Sequence, residues 1–127
     1  MLKVDLHCHS NVSDGVLAPS DVAAYAGKSG VNVWALTDHD EISGVKAARK
    51  AATALGMRFV AGVEISVTWA NDTVHVVGLK VDEDNPALTA GLAATRNGRE
   101  KRAREMAAQL EQAGIPTPYE GALRYVA

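Results

Sequence analysis

"VNVWALTDHD", residues 31 to 40, is the stretch on which the fold turns. Val31, Val33, Trp34, Ala35 and Leu36 make a near-continuous apolar run, the pattern of a strand covered on both faces rather than one that alternates between core and water. A polar cluster, Thr37, Asp38, His39 and Asp40, follows at once. In parallel α/β folds the ligand site lies at the carboxyl ends of the strands, so this cluster stands where chemistry is expected.

The flanking segments repeat the same unit. "LKVDL" at 2 to 6 is a short β-rich run, and "PSDVAAYAGKSG" reads as a helix with Pro19 in its first turn and Gly30 closing it. After the central strand, "SGVKAARKAATALG" reads as a second helix with Ser43 as N-cap and Gly56 as stop. "MRFVAGVEISVTWA" and "TVHVVGLKV" flank Asn71 and Asp72, a pair suited to a tight turn, so residues 59 to 81 are expected to include a hairpin. A long helix from about Pro86 to Gln112 follows, stopped by Gly114. Alternating strands and helices predict an α/β fold with a largely parallel sheet or barrel.

A chain of 127 residues, 47% apolar, is long enough for one domain with a real core. It has no apolar run near 18 residues and no secretion leader at Met1, so the cytoplasm is the default expectation and no membrane partner is expected. A net charge of −2 argues against coating long duplex nucleic acid. Cys8 is the single cysteine, which excludes an internal disulfide.

All four histidines fall at strand ends or on an inward face. His7 and His9 follow the first strand, His39 the second, and His75 alternates with Val74 and Val76 and so faces away from them. Residues i and i+2 of an extended segment share a side, about 6.5 to 7 Å apart, so His7 and His9 aim at one place and Cys8 points the other way, as a small core residue. A single buried histidine is more often a hydrogen-bonded core residue than a ligand. Four of four, joined by Asp14 and by Glu64 after the apolar run "FVAGV", is a pattern that metal explains and the core reading does not. Six mixed ligands exceed what one four-coordinate zinc needs, so more than one ion is expected, and the carboxylates favour manganese, iron or zinc over copper. Asp5 shares the side of His7, and Asp38 and Asp40 flank His39. Each is a candidate to hold a ligating imidazole from behind, the alternative being a strand-end carboxylate without chemistry. Glu41 is read as solvated surface.

The long helix carries a stripe, Leu92, Arg96, Arg99, Ala103, Met106, Leu110 and Ala113, at spacings of four and three. It is read as the core-facing side, with Arg102 at its edge and Lys101 and Arg104 on other faces. An inward guanidinium must find an anion. An internal carboxylate is one partner. A substrate phosphate is the other, because the planar fork of arginine suits bidentate phosphate contacts.

"DLHCHS" with "SDG", "LTDHD", "GVEIS" and "HVVGL" resemble, in order and spacing, the first motifs of the PHP family, the polymerase and histidinol phosphatase phosphoesterases. The continuation "WANDTVHVVGLKVD", the basic helix and "LEQAGIP" look most similar to the bacterial subfamily that removes phosphate from nucleoside 3',5'-bisphosphates and trims short RNA from the 5' end. The resemblance implies a distorted (β/α)7 TIM-like barrel with three metal ions, manganese first among them, between the strand ends. It implies that His7 and His9 bind the first ion with Glu64, that Glu64 bridges to the second with His75, and that Asp14 and His39 hold the third. Glu64, His39 and Asp14 then serve as the catalytic residues. Arg99 and Arg102, with Lys101 and Arg104, match the region that contacts substrate phosphate.

The family also needs a further histidine and a late Asp-x-His motif, and no histidine follows His75. Three or four βα elements do not close a barrel. Residues 1 to 127 are therefore expected to be the N-terminal part of a PHP domain, with the C-terminal half of the same protein as partner and the faces of "VNVWALT" and "TVHVVGL" uncovered in its absence. The expected activity is metal-dependent hydrolysis of a phosphate ester on a nucleotide or short oligonucleotide. A metal-dependent amidohydrolase, which also uses a His-x-His pair after its first strand, is the alternative enzyme. A non-catalytic interaction module would have lost ligands, whereas here all the early ones are present.

Overall fold

The computed structural model describes residues 1–70 and 72–125. These fall into two units, Met1–Ala93 and Ala94–Ala127, each described by itself.

The first unit is a four-stranded sheet with its helices. Strands β1 (Val4–Asp5), β2 (Val33–Leu36), β3 (Arg58–Trp69) and β4 (Asp72–Leu79) lie side by side in chain order. β1 pairs with β2 and β2 with β3 in parallel, whereas β3 and β4 form the expected antiparallel hairpin, from Gly62 opposite Leu79 to Trp69 opposite Asp72. The expected Asn71–Asp72 turn lies partly outside the described residues, because Asn71 is not among them.

Helices α1 (Pro19–Lys28) and α2 (Val45–Ala54) supply the crossovers. Gly30 and Gly56 follow them with φ of 78° and 72°, the left-handed stop that only glycine adopts at no steric cost. Ser43 does not cap α2. The N-cap is Gly44, which has no side chain to cap with, and in the turn before it the Glu41 carboxylate accepts the backbone N–H groups of Ile42 and Ser43 at 2.9 and 3.0 Å. Glu41 is thus a local turn-former rather than a merely solvated charge.

The core lies where β2 predicted it. Trp34 and Leu36 are sealed among Ala23, Ala26, Ala48, Ala52 and Met57 of the α1–α2 layer, and Ala35 is fully buried. "VNVWALT" is therefore covered, contrary to expectation, since the crossover helices suffice to bury it. "TVHVVGL" behaves as expected: Val74, Val76, Val77 and Leu79 are 38% to 49% exposed. A second cluster joins Ile42, Val45, Ala61 and Val63 to Leu92. Gly62 sits where β3 changes partners. A Cβ there would lie 2.7 Å from Thr37 Cγ2 and 2.9 Å from the Leu36 carbonyl oxygen, so only a bare backbone lets β3 approach the end of β2.

Helix α3 runs Pro86–Gln112, as its periodicity predicts. The Asn85 side chain accepts the backbone N–H groups of Ala87 and Leu88, a cap the sequence reading missed, and Gly114 closes the chain direction with φ of 90°. Within the second unit the expected core stripe is only partly buried. Arg96 and Arg99 are half-buried, whereas Met106 is 58% and Leu110 42% exposed, and the buried position is Ala107. A short helix, α4 (Pro118–Leu123), follows.

Candidate metal centre

The fold brings side chains from the segments after β1 and β2 and from within β3 and β4 to one place. Glu64 lies inside β3 rather than after it, because the hairpin with β4 extends the strand eight residues beyond the parallel pairing that ends at Ala61. It is 6% exposed. Its Oε2 stands 2.7 Å from His7 Nε2, 2.9 Å from His9 Nε2 and 3.8 Å from His39 Nε2, while Oε1 stands 3.8 Å from His75 Nδ1. One buried carboxylate thus faces all four histidines.

Asp14 completes the set from the loop after β1. Its Oδ1 is 2.9 Å from His9 Nδ1 and its Oδ2 3.6 Å from His39 Nε2. The imidazoles are crowded, with ring centroids 5.2 Å apart for His7 and His9, 4.5 Å for His9 and His39, and 4.9 Å for His39 and His75. Three groups of potential ligand atoms result: His7, His9 and Glu64; His9, Asp14 and His39; His39, Glu64 and His75. All six residues singled out as ligands in the sequence are here.

The chemistry of the donor set fits divalent cations. Imidazole nitrogens and carboxylate oxygens converge without an arginine or lysine among them, and such groups at mutual contact are compensated when a cation lies between them. Burial acts to raise the Glu64 carboxyl, but the hydrogen bond with His7 and the charges of His39, His7 and His9 outweigh it and hold it below the usual range. Asp14 behaves alike: partial burial raises it, and His9 and His39 bring it down. For His39, burial dominates and lowers it, which favours the neutral ring that ligates metal. Its Nδ1 is buried with no hydrogen-bond partner among the described residues, and Nε2 is the atom that faces Asp14 and Glu64.

The residues expected behind the ligands act differently from expectation. Asp5 Oδ1 accepts the backbone N–H of His7 at 3.3 Å. Asp38 accepts from Ser10 and Ser13, and Asp40 from the backbone of Ser66, while His39 Nδ1 has no partner among the described residues. These carboxylates hold backbone and hydroxyls next to the ligands. Cys8 points away from the histidines, as alternation required: its Sγ accepts from Trp34 Nε1 at 3.0 Å and donates to the Ala35 carbonyl at 3.2 Å. Burial pushes its thiol up to about 11, against the opposing Trp34 contact, so it stays protonated. Two side chains of the site were not singled out. Ser66 Oγ lies 3.4 Å from His75 Nδ1, and Ser13 Oγ donates to Asp14 Oδ1 at 3.3 Å. Ser66 was recoverable, since it lies two residues after Glu64 on the same face.

The matching of known families decides what this centre belongs to. Residues 5–92 match the model described as the PHP domain. The chain belongs to the PHP domain family. Among PHP-related proteins it is 49% identical over 120 residues to the 5'-3' exoribonuclease of Haemophilus influenzae, covering 94% of this chain and 44% of that one. It is 48% identical over 125 residues to the 3',5'-nucleoside bisphosphate phosphatase of Chromobacterium violaceum, covering 98% and 44%. A solved Chromobacterium violaceum structure described as an amidohydrolase with bound sulfate and no metal superimposes with a TM-score of 0.86 at 48% identity, over 96% of this chain and 43% of that one. The chain therefore spans less than half the length of these relatives. Its α/β architecture is that of the PHP fold.

The basic residues singled out on α3 lie in the second unit. Arg104 pairs with Glu100, at 3.1 Å from Nε and 2.8 Å from Nη2, and its guanidinium covers the Tyr119 ring at 4.3 Å. Lys101 stands 3.8 Å from Glu105 Oε1. Arg102 is exposed, and Arg99 half-buried. Among the described residues no helix is long and apolar enough to cross a membrane.

Proposed function

We propose that this chain is the metal-holding part of a phosphoesterase that hydrolyses phosphate esters of nucleotides, such as nucleoside 3',5'-bisphosphates, or the 5' end of short RNA. The observation that carries the reading is the clustering of six side chains, from the segments after β1 and β2 and from within β3 and β4, into three overlapping ligand groups, in a chain whose relatives are named as a bisphosphate phosphatase and an exoribonuclease. His7 and His9 would hold one ion with Glu64, Glu64 and His75 a second, and Asp14 and His39 a third. Manganese is the first choice, with iron or zinc as alternatives. Such ions, when bound, supply Lewis-acid charge and lower the pKa of water at neutral pH.

The chain's own residues do the rest. Glu64, His39 and Asp14 are the catalytic residues of the proposal: Glu64 and His39 each belong to two of the three ligand groups, and Asp14 brings the carboxylate to the group of His9 and His39. Glu64 stays ionised and His39 neutral in the pH range where both must ligate. Arg99 and Arg102, with Lys101 and Arg104, bind substrate phosphate, Arg99 and Arg102 through the bidentate geometry of guanidinium. Residues 1 to 127 are the N-terminal part of the PHP domain, a further part of the same protein completes the ligand set, and the protein works in the cytoplasm on small substrates rather than long duplexes.

The test is phosphate release from a nucleoside 3',5'-bisphosphate by the full-length protein, stripped with chelator and reloaded with Mn2+. Release that requires metal and is lost in Glu64→Gln supports the reading. One observation favours a second reading: the Chromobacterium violaceum structure is described as an amidohydrolase. Metal-dependent cleavage of amides with no release from phosphate esters would establish it instead.

A further inference from the structure

His39 is flanked by two carboxylates that are sealed from solvent, Asp38 at 2% and Asp40 at 0% exposure. A buried carboxylate is tolerated only when its lone pairs are taken. Asp38 spends its oxygens on one loop: Oδ1 accepts from Ser10 N and Ser13 Oγ, Oδ2 from Ser10 Oγ, all at 2.7 Å. That loop carries His9 before Ser10 and Asp14 after Ser13. Its turn is closed by backbone hydrogen bonds from Ser13 and Gly15 to the Ser10 carbonyl, at 3.1 and 2.8 Å, so holding Ser10 and Ser13 holds the whole segment.

Asp40 reaches the other way. Its Oδ1 accepts the backbone N–H of Ser66 at 2.7 Å, and Ser66 lies opposite His75 in the hairpin and two residues after Glu64. The Asp40 N–H donates to the Glu64 carbonyl at 2.9 Å, and φ of 52° at Asp40, an unusual value for a residue with a side chain, turns the backbone so that both contacts are made. Alternation alone would put Asp38 and Asp40 on one side; the positive φ at Asp40 breaks it, and His39 is placed between two clamps.

We propose that Asp38 and Asp40 are positioning residues with separate targets: Asp38 sets His9 and Asp14 against His39, and Asp40 sets Glu64 and His75 against it. This rests on the reading of the six side chains as a metal centre. Asp38 holds the Ser10 backbone and two hydroxyls, and Asp40 holds the Ser66 backbone. Each acts by fixing the backbone that bears the ligands of one group, so the damage done by removing it is confined to that group.

The experiment measures Mn2+ affinity and thermal midpoint of the full-length protein by chelator competition and melting, in Asp38→Asn and Asp40→Asn, alone and combined with Asp14→Ala or His75→Ala. Ser10→Ala serves as a second probe of the Asp38 clamp, since it removes one donor and touches no ligand. Each single variant is expected to weaken metal binding by roughly tenfold to a hundredfold. Asp38→Asn and Ser10→Ala should be non-additive with Asp14→Ala and additive with His75→Ala, and Asp40→Asn the reverse. A lowered thermal midpoint with unchanged affinity, or the same additivity with both partners, overturns the inference while leaving the metal centre intact. An unaltered protein that binds no metal overturns the centre itself.

Discussion

Glu64 and His39 are paired across a parallel β-bridge, with Glu64 N donating to the Asp38 carbonyl at 3.1 Å and Asp40 N to the Glu64 carbonyl at 2.9 Å. The backbone thereby fixes the carboxylate at the centre of four imidazoles. Glu64→Gln keeps the shape and removes the charge, and it is expected to weaken metal binding in the full-length protein by at least about a hundredfold, more than loss of an outer partner costs. Chelator competition reads this directly, and an affinity unchanged in the variant would remove Glu64 from the centre.

His75 stands within β4, half-exposed, against the His39 ring and the Glu64 carboxylate. Replacing it with alanine should lower bound metal by about one ion per chain, by elemental analysis, with a thermal midpoint close to that of the metal-free parent. Full metal content in His75→Ala would make it a strand histidine without a ligand role.

For Arg99, the expectation is kinetic. Arg99→Ala should raise KM for a nucleoside bisphosphate more than for a monophosphate, by roughly tenfold to a hundredfold, the loss of about 1.5 to 3 kcal/mol typical of a charged hydrogen bond. Arg104→Ala should change KM less, since Glu100 and Tyr119 already occupy that guanidinium. A lowered thermal midpoint with intact kinetics in Arg99→Ala would identify a structural ion pair instead.

The motifs are legible because His7 and His9 follow a β-rich run and His39 and Glu64 an apolar run, which are local features of the sequence. His7 and His9 needed only alternation, and α3 only its period and Gly114. Asp38 and Asp40 were not legible in the same way, because their partners lie 28 and 26 residues away, and sequence spacing could not tell an imidazole partner from a hydroxyl or an amide. Ser43 reads as a cap by type, but the helix starts one residue later, with Gly44 as N-cap, and Glu41 accepts the N–H groups of the turn before it. Glu64 was placed after its strand because the apolar run ends at Val63, whereas the hydrogen bonding to β4 continues to Trp69.

Acid should undo the metal-free protein in two stages. Burial lowers His39, so the unfolded chain takes up its proton first, and stability falls as pH drops below the ordinary imidazole range of about 6.5. Asp14 and Glu64 are held below their usual ranges, so their contribution is present above about pH 4 and is lost as pH falls through their folded-state values. Melting in chelator across this range checks both stages, and His39→Gln should flatten the first. An equal slope in parent and variant between pH 7 and 5 would contradict the assignment.

The central claim is that six named side chains hold the metal on which activity depends. Anomalous diffraction from crystals of the active, manganese-loaded full-length protein tests it most directly. The account predicts peaks within about 2.0 to 2.3 Å of donor atoms on His7, His9, Asp14, His39, Glu64 and His75. Anomalous peaks only elsewhere, in a protein that still releases phosphate, would contradict it.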